Sequence, residues 1–255
     1  MATRNLLVLV AALNVFGAAV GLATTATGAR PQAAASIILG KTANYPQSGC
    51  PKTEGCEVVA RVTGIQMKAD GLDHPFRVPV NGQLVSWWLK LPQLHQTQLR
   101  SFSELFGGNP AARISVLRRG KRGRVRLVRQ GPVEPLKDLL GQRGRARFRL
   151  AEPLRVKKGD YVGLTAITWI PAFAVGLDAT NNVWLASRSK DRCSTPSSQN
   201  PKRFAAYYKT TDAHVETSTV RRYRCLYRTA RLLYWGRVVP DVTPQPEPGG
   251  GGGTP

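Results

Sequence analysis

The sequence predicts an all-β fold: one domain built as an antiparallel β-sandwich of jelly-roll type, with short helical turns in its loops. Many short runs of β-branched and aromatic residues are separated by turn pairs such as Asp70-Gly71 and Asn81-Gly82. Residues 145–150 alternate strictly between arginine and apolar side chains, which is the two-residue period of a strand with one buried face. No helical repeat accompanies these runs, and this combination is typical of a sandwich.

The first half of the domain is predicted to contain four strands and a long connection. The connection, residues 92–110, includes one helical turn at 100–106, and a loop of this length is either an elaboration or functional. The last two strands form the clearest hairpin of the chain, around the turn Gly120-Lys-Arg-Gly123. The four strands are residues 57–67, 83–91, 112–119 and 123–130.

The second half is organised around residues 145–168. The alternating strand at 145–150 is followed by the turn signal Lys157-Lys158-Gly159-Asp160. Residues 161–168 are mostly apolar without strict alternation, as in a central sandwich strand. A short helix is predicted at 135–140, before this pair. Further strands are predicted at residues 182–187, 204–209 and 220–239.

Both ends of the chain are predicted to lie outside the folded domain. Residues 1–29 combine a basic residue, an apolar run and a small-residue stretch, as a cleaved secretory signal does. We expect residues 30–49 to be flexible, residues 50–239 to form the sandwich, and the Pro/Gly-rich residues 240–255 to be a disordered tail. The expected location is extracellular or in the cell envelope, with no transmembrane segment after signal cleavage.

Four cysteines follow the predicted signal, and an even number in an exported protein indicates two disulfides. Three pairings are possible. We favour Cys50 with Cys56 and Cys193 with Cys225, because this choice pairs sequence neighbours. A zinc site is not expected, since the chain has no CxxC pair and its histidines are not at ligand spacing.

The net charge is the most unusual bulk property. The chain carries 37 basic and 15 acidic residues, for a formal charge of +22. Such a charge attracts nucleic acid, anionic glycans, wall polymers or lipid headgroups. No nucleic-acid-binding signature accompanies it, and export argues against a specific nucleic-acid partner. An anionic polysaccharide or wall polymer is therefore the expected partner; the alternative is a solvated basic surface without a ligand.

Arginines concentrate on the hairpin and on the alternating strand after it. If these strands are neighbours in one sheet, alternation places their arginines on one solvent face, which would bind phosphate- or carboxylate-rich polymers. The candidate polyanion-binding residues are Arg122, Arg124, Arg126, Arg145, Arg147 and Arg149. The alternative is a charged face that protects an edge hairpin from aggregation.

Tryptophans provide a second candidate site, because their ring faces stack on sugar rings. Adjacent Trp87 and Trp88 must point to opposite faces of a strand, so one of them is core. Trp169 and Trp184 lie near strand ends, where sites on a loop rim form. We take Trp87, Trp169 and Trp184 as candidate sugar-stacking residues. The alternative is that all five tryptophans fill the core.

No catalytic residue, cofactor or metal is predicted. The chain has no GxSxG motif, and with both disulfides formed no cysteine remains as a nucleophile. His74, His95 and His214 stand in unrelated contexts and are expected at the surface. Two sets of turn residues carry oxygens that suit calcium, but Asx turns explain both equally well. These sets are Asp70 with Asp73, and Asp178 with Asn181 and Asn182.

Several segments resemble a group of secreted bacterial, mainly actinobacterial, β-sandwich proteins. The matching segments are the Ser-Trp strand at 82–91, Val116-Leu117-Arg118 with the strand hairpin after it, residues 154–164 (LRVKKGDYVGL), the loop with Cys193, and residues 230–236 (ARLLYWG). The resemblance covers most of residues 56–239. It implies an architecture similar to carbohydrate-binding jelly rolls and no defined function. The arginine-rich hairpin and the 92–110 insertion depart from the group's pattern.

The first functional expectation is therefore a secreted, non-enzymatic β-sandwich that associates with anionic cell-envelope or extracellular glycans. The second is a neutral-carbohydrate-binding module that uses exposed tryptophan or tyrosine. The third is a glycan hydrolase on a jelly-roll scaffold, which needs two positioned acids that sequence cannot show. The oligomeric state is not predicted.

Overall fold

A computed structural model describes residues 35–50, 56–140, 144–194 and 200–241 of the 255-residue chain. The chain divides into two units, Met1–Gln32 and Ala33–Pro255. The predicted signal lies outside the described residues, and so does the predicted tail beyond residue 241. The fold is that of the second unit.

Short strands dominate the described part of this unit, together with two α-helices and three single turns of 3₁₀ helix. The first half contains β1 (Ile37–Leu39), β2 (Val59–Ala69), β3 (Leu72–Asp73), β4 (Gly82–Leu91), α1 (Gln96–Phe106), β5 (Ala111–Arg119), β6 (Arg124–Gln130) and β7 (Glu134–Pro135). The second half contains β8 (Gly144–Val156), β9 (Tyr161–Ile170), β10 (Phe173–Ala174), β11 (Val183–Ala186), α2 (Pro201–Lys209), β12 (Val220–Arg222), β13 (Cys225–Arg228), β14 (Arg231–Leu232) and β15 (Tyr234–Pro240).

Two antiparallel sheets build the fold, and this confirms the predicted all-β sandwich. The smaller sheet has the order β1-β15-β4-β8. The larger sheet follows the path β12-β6-β5-β9-β2-β11-β13, with β3 and β7 attached to β2 and β5. Strands β10 and β14 form a separate pair. The predicted hairpin is β5–β6.

The main core lies between the two sheets. Trp87 of the smaller sheet packs on Phe148, with ring centroids 4.5 Å apart. The Tyr234 hydroxyl donates to the Val162 carbonyl of the larger sheet at 2.9 Å, so a hydrogen bond as well as apolar contact joins the layers. A β-bulge of β4 in its pairing with β15, where Leu84 and Ser86 stand opposite consecutive residues of β15, lets both Leu84 and Trp87 point inward.

A second, smaller core covers the outer face of the larger sheet. It lies beneath the segment of residues 211–219 and joins residues from five strands, β2, β5, β6, β9 and β11, to a tyrosine that follows β12. Its buried members are Ile65, Leu117, Val125, Leu127, Tyr161, Leu185 and Tyr223. The larger sheet is therefore buried on both faces in its central part, as expected for a strand such as β9 with no strict alternation.

Strands β8 and β9 are consecutive in sequence but belong to different sheets. β8 pairs with β4, and β9 pairs with β5 and β2. The turn between them is held by Asp160, whose carboxylate accepts from the Lys157 backbone N–H at 3.0 Å and from the guanidinium of Arg118. The predicted turn at residues 157–160 thus carries the chain from one layer of the sandwich to the other.

Both helices differ from the sequence expectations. α1 has eleven residues where one turn was expected at 100–106. It begins after His95, whose backbone N–H donates to the Gln98 side chain at 2.9 Å, and it ends at Gly107 with a φ of 75°. The strand prediction for residues 204–209 is wrong, because this segment forms α2. Asn200 caps α2 by accepting from the Arg203 N–H at 3.1 Å.

The ends of the sandwich also need correction. Residues 30–49 were expected to be flexible, but β1 pairs with β15 and adds Ile37–Leu39 to the smaller sheet. The predicted closing strand at 220–239 is divided into β12 to β15, with a break at Thr229, where φ is 61°. The predicted disulfides, Cys50–Cys56 and Cys193–Cys225, are confirmed.

Candidate functional site

The two predicted rows of arginines lie in different sheets. β6 pairs with β5 and β12 in the larger sheet, whereas β8 pairs with β4 in the smaller one. The condition for a single arginine face, that these strands are neighbours, is therefore not met. The expected face of Arg124 and Arg126 together with Arg145, Arg147 and Arg149 is wrong.

Arginines from three strands nevertheless converge at one edge of the larger sheet. They line a shallow surface depression of about 590 Å³, here called the arginine depression. Besides Gly120 and Val220, its lining consists of Arg118, Arg119, Arg124, Arg126 and Arg222.

Strand register explains why four of these side chains share a face. Arg119 is the exception, because it follows Leu117 on the side of the second core and lies over Tyr161. In β6, Val125 and Leu127 point into the second core, so Arg124 and Arg126 point to the opposite side. Arg118 of β5 is the direct cross-strand partner of Arg126. On the other side of β6, Val220 and Arg222 of β12 stand opposite Arg126 and Arg124. Alternation and pairing thus place the guanidinium groups side by side.

Most of this charge is not balanced within the described residues. Arg118 forms a salt bridge with buried Asp160, with nitrogen-to-oxygen distances of 2.7 and 3.0 Å. None of the other four arginines has a carboxylate within 4 Å in the described part of the chain. Arg119 lies 5.5 Å from the ring centroid of Tyr161. Burial, and then the charge of Arg119, lower the pKa of neighbouring His74.

The remaining predicted arginines lie apart from the depression's lining. Arg122 is exposed in the turn of the hairpin, with a φ of 56°. Arg145, Arg147 and Arg149 are exposed on the outer side of β8. The Arg145 guanidinium carbon lies 5.4 Å from the centroid of a Trp235 ring, so this row borders aromatic surface. Arg222 was missed, because nothing local shows that residues 220–222 pair with the hairpin. The available signal was the arginine-rich run of residues 221–224.

The three candidate sugar-stacking tryptophans are buried. Trp87 and Trp169 have no exposed area, and Trp184 is 3 % exposed. They therefore present no ring face to a sugar at the surface, and the core interpretation holds for them. Trp88 points to the opposite side of β4, is half-buried, and stacks on Trp235 with ring centroids 6.3 Å apart. Trp184 lines a cavity, which lies beneath the two helices.

The histidine at position 214 is not at the surface, contrary to expectation. It has no exposed area, and its ring lies 3.2 Å from the Tyr223 hydroxyl through Nδ1 and 2.9 Å from the Thr219 hydroxyl through Nε2. Its backbone N–H donates to Thr63 Oγ1, which also contacts Thr165 Oγ1 at 2.9 Å. This polar network ties residues 211–219 to the outer face of the larger sheet.

The carboxylates of Asp178 and Asp70, two of the candidate calcium residues, accept hydrogen bonds from other residues of the chain. Asp178 Oδ1 accepts from the backbone N–H groups of Thr180 and Asn181, both at 2.9 Å, and hydrogen bonding lowers the pKa of this carboxyl. Asp70 accepts from the backbone and side-chain N–H groups of Asn44, which lower its pKa in the same way. Within the described ranges, no three His, Cys, Asp or Glu side chains are grouped to hold a metal ion.

Comparisons with models of protein families, with curated proteins and with solved structures found no match to this chain. Among the described residues, no helix has the length and apolar character needed to cross a membrane. The class defined by fold and site is therefore a disulfide-linked β-sandwich with a basic depression at one sheet edge.

Proposed function

We propose that the protein is a secreted, non-enzymatic β-sandwich that associates with anionic cell-envelope or extracellular glycans through the arginine depression. The observation that carries the proposal is that four of its five guanidinium groups have no carboxylate partner among the described residues. Such groups are available to carboxylate, sulfate or phosphate groups of a ligand, which the guanidinium fork binds through two parallel hydrogen bonds.

The arrangement favours a polymer over a small anion. Neighbouring strands lie about 5 Å apart, and alternate residues of one strand about 7 Å apart. Arg124, Arg126 and Arg222 therefore display charge at intervals that several groups of one extended polyanion can contact together. A single small anion would contact one or two of them and gain little at a surface exposed to water.

Secretion is supported by the signal-like residues 1–29 and by the two disulfides, bonds that persist mainly in oxidising compartments. The resemblance to secreted actinobacterial β-sandwich proteins points in the same direction. No observation favours the neutral-carbohydrate module, since the candidate stacking tryptophans are buried.

The test compares two variants that lose the same charge at different places. R124Q/R126Q/R222Q removes three arginines of the depression, and R145Q/R147Q/R149Q removes the exposed row of β8. Binding to heparin, as a model anionic glycan, is measured over a range of salt concentrations. Each lost contact is worth about 0.7 kcal/mol, so the first variant should bind roughly 30-fold more weakly and with a smaller salt dependence. The affinity of the second variant for heparin should stay within about threefold of that of the original chain.

Equal weakening of the two variants would show that net charge alone attracts heparin, and would overturn the assignment of the site. Elution of the unmodified chain from heparin at low salt would overturn the function itself. Retention on an insoluble neutral glycan at high salt would instead support a neutral-carbohydrate module. Circular dichroism of both variants checks that the fold is kept.

A further inference from the structure

The two helices and one end of the sandwich enclose a cavity of about 630 Å³, here called the aromatic cavity. α1 and α2 each contribute two aromatic rings, and three more come from β10, β11 and β13. These seven residues are Phe102, Phe106, Phe173, Phe204, Tyr208, Trp184 and Tyr227. The volume lies within the range of about 300–1,000 Å³ that is typical of small-molecule sites, and the lining suits an apolar ligand.

A buried cation forms part of the lining. Arg188 follows β11 and is only 7 % exposed. Its Nη1 donates to the Tyr227 hydroxyl at 3.0 Å and its Nη2 to the Ala60 carbonyl at 3.1 Å. Its guanidinium carbon lies 5.4 to 6.0 Å from the ring centroids of Tyr207, Tyr208 and Tyr227. Nowhere in the described residues does a carboxylate approach it within 4 Å, and a buried charge without a counter-charge is costly.

Two donors at this cavity have no hydrogen-bond partner among the residues that the structure describes. They are the buried Nε of Arg188 and the buried Nε1 of Trp184. The Cε3–Cζ3 edge of Trp184 lies against Gly64, which leaves Nε1 on the opposite edge of the ring. Tyr227 connects the two residues, because it stacks on Trp184 at 4.7 Å and accepts from Arg188. Its hydroxyl in turn donates to the Cys193 carbonyl at 2.8 Å, beside the second disulfide.

We propose that the aromatic cavity binds an amphipathic carboxylic acid, with its apolar body among the rings and its carboxylate accepting hydrogen bonds from Arg188 and Trp184. A carboxylate supplies the two things that the site lacks, a negative charge and acceptors for two N–H groups. Water could occupy the donors but brings no charge. The other charged residues of the lining, Glu57 and Arg228, are exposed and interact with solvent.

The test uses 2-naphthoate as the probe and isothermal titration calorimetry of the full chain. The matched neutral ligand is 2-naphthalenemethanol, which has the same ring system without the charge. A hydrogen-bonded charge contact in a buried site is strong, so naphthoate should bind at least about tenfold more tightly than the alcohol. R188M keeps the volume of the side chain and removes its charge. It should weaken naphthoate binding about tenfold, and its affinity for the alcohol should stay within about threefold of that of the original chain.

Two further variants make the test decisive. R228M removes the same charge from an exposed residue of the lining and should change naphthoate affinity by less than about threefold. W184F keeps an aromatic ring but removes the N–H. It should lower the affinity for naphthoate by more than about threefold and leave the affinity for the alcohol unchanged. If R188M fails to fold, the test rests on W184F. A loss of naphthoate affinity of less than about threefold in this variant would then overturn the proposal.

Three results would overturn the proposal. They are the absence of naphthoate binding at about 1 mM, equal affinities for naphthoate and the alcohol, and equal weakening by R188M and R228M.

Discussion

Mild acid should destabilise the fold through His214. Burial, and next the charge of Arg221, lower the pKa of this imidazole to about 4, whereas the same group in an unfolded chain titrates near about 6.5. The hydrogen bonds explain why the neutral ring is preferred. The Thr219 hydroxyl donates to the Glu216 carbonyl at 2.6 Å, so it accepts from Nε2–H, and Nδ1 is left to accept from Tyr223. A second ring proton would point at the Tyr223 hydroxyl and force it to turn.

The sign and the size of the effect follow from linkage. Because the folded state has the lower pKa, the unfolded state binds the extra proton more readily between about pH 6.5 and 4. Stability from His214 is therefore complete above about pH 6.5 and is lost as the pH falls to about 4. At 1.36 kcal/mol for each unit of pKa difference, the total loss is about 3 kcal/mol.

Urea unfolding at about pH 7.5, 5.5 and 4.0 measures this loss, because the free energy of unfolding can be compared at each pH. Acidic groups also titrate near the lowest pH of this series. The informative quantity is therefore the difference in the free energy of unfolding between the original chain and H214Q at each pH. The variant should lose about 3 kcal/mol less than the original chain over this range. H95Q changes an exposed histidine and should follow the original profile. Parallel pH profiles for H214Q and the original chain would refute the argument.

Two further predictions concern the crosslinks and the inter-sheet turn. C193A/C225A should lower the free energy of unfolding by about 4 kcal/mol and the equivalent change at the first disulfide by about 2 kcal/mol, because the sequence separations are 32 and 6 residues. Urea unfolding compares the two variants, and equal losses would contradict the chain-entropy reasoning. D160N should cost about 2 kcal/mol, since a nearly buried carboxylate that binds Arg118 loses its charge. A double-mutant cycle with R118Q measures the coupling, and strictly additive losses would count against it.

Local features of the fold could be predicted from the sequence. The β5–β6 hairpin is specified by a short turn between two alternating runs, and the disulfides join sequence neighbours. α2 was misassigned because Phe204, Tyr207 and Tyr208 have high strand propensity. Their spacing also fits one face of a helix, and the cap at Asn200 favours that alternative.

Non-local neighbours could not be predicted. Arg126 stands opposite Val220, nearly a hundred residues later in the chain, and no local pattern specifies that pairing. For the same reason the sequence could not show that β8 joins the smaller sheet. Of the six predicted polyanion-binding arginines, only Arg124 and Arg126 lie in the depression. The burial of Arg188 likewise depends on tyrosines from α2 and β13, which are distant in sequence.

Both candidate sites arise from the unequal sizes of the two sheets. The main path of the larger sheet has seven strands and the smaller sheet has four, so the four cannot cover all seven. At one edge, β6 and β12 turn Arg124, Arg126 and Arg222 into an open depression, where solvent supports their charge. Near the other edge, Trp184 of β11 and Tyr227 of β13 line the aromatic cavity together with side chains of the two helices. Charged side chains at an uncovered edge also discourage pairing with other chains.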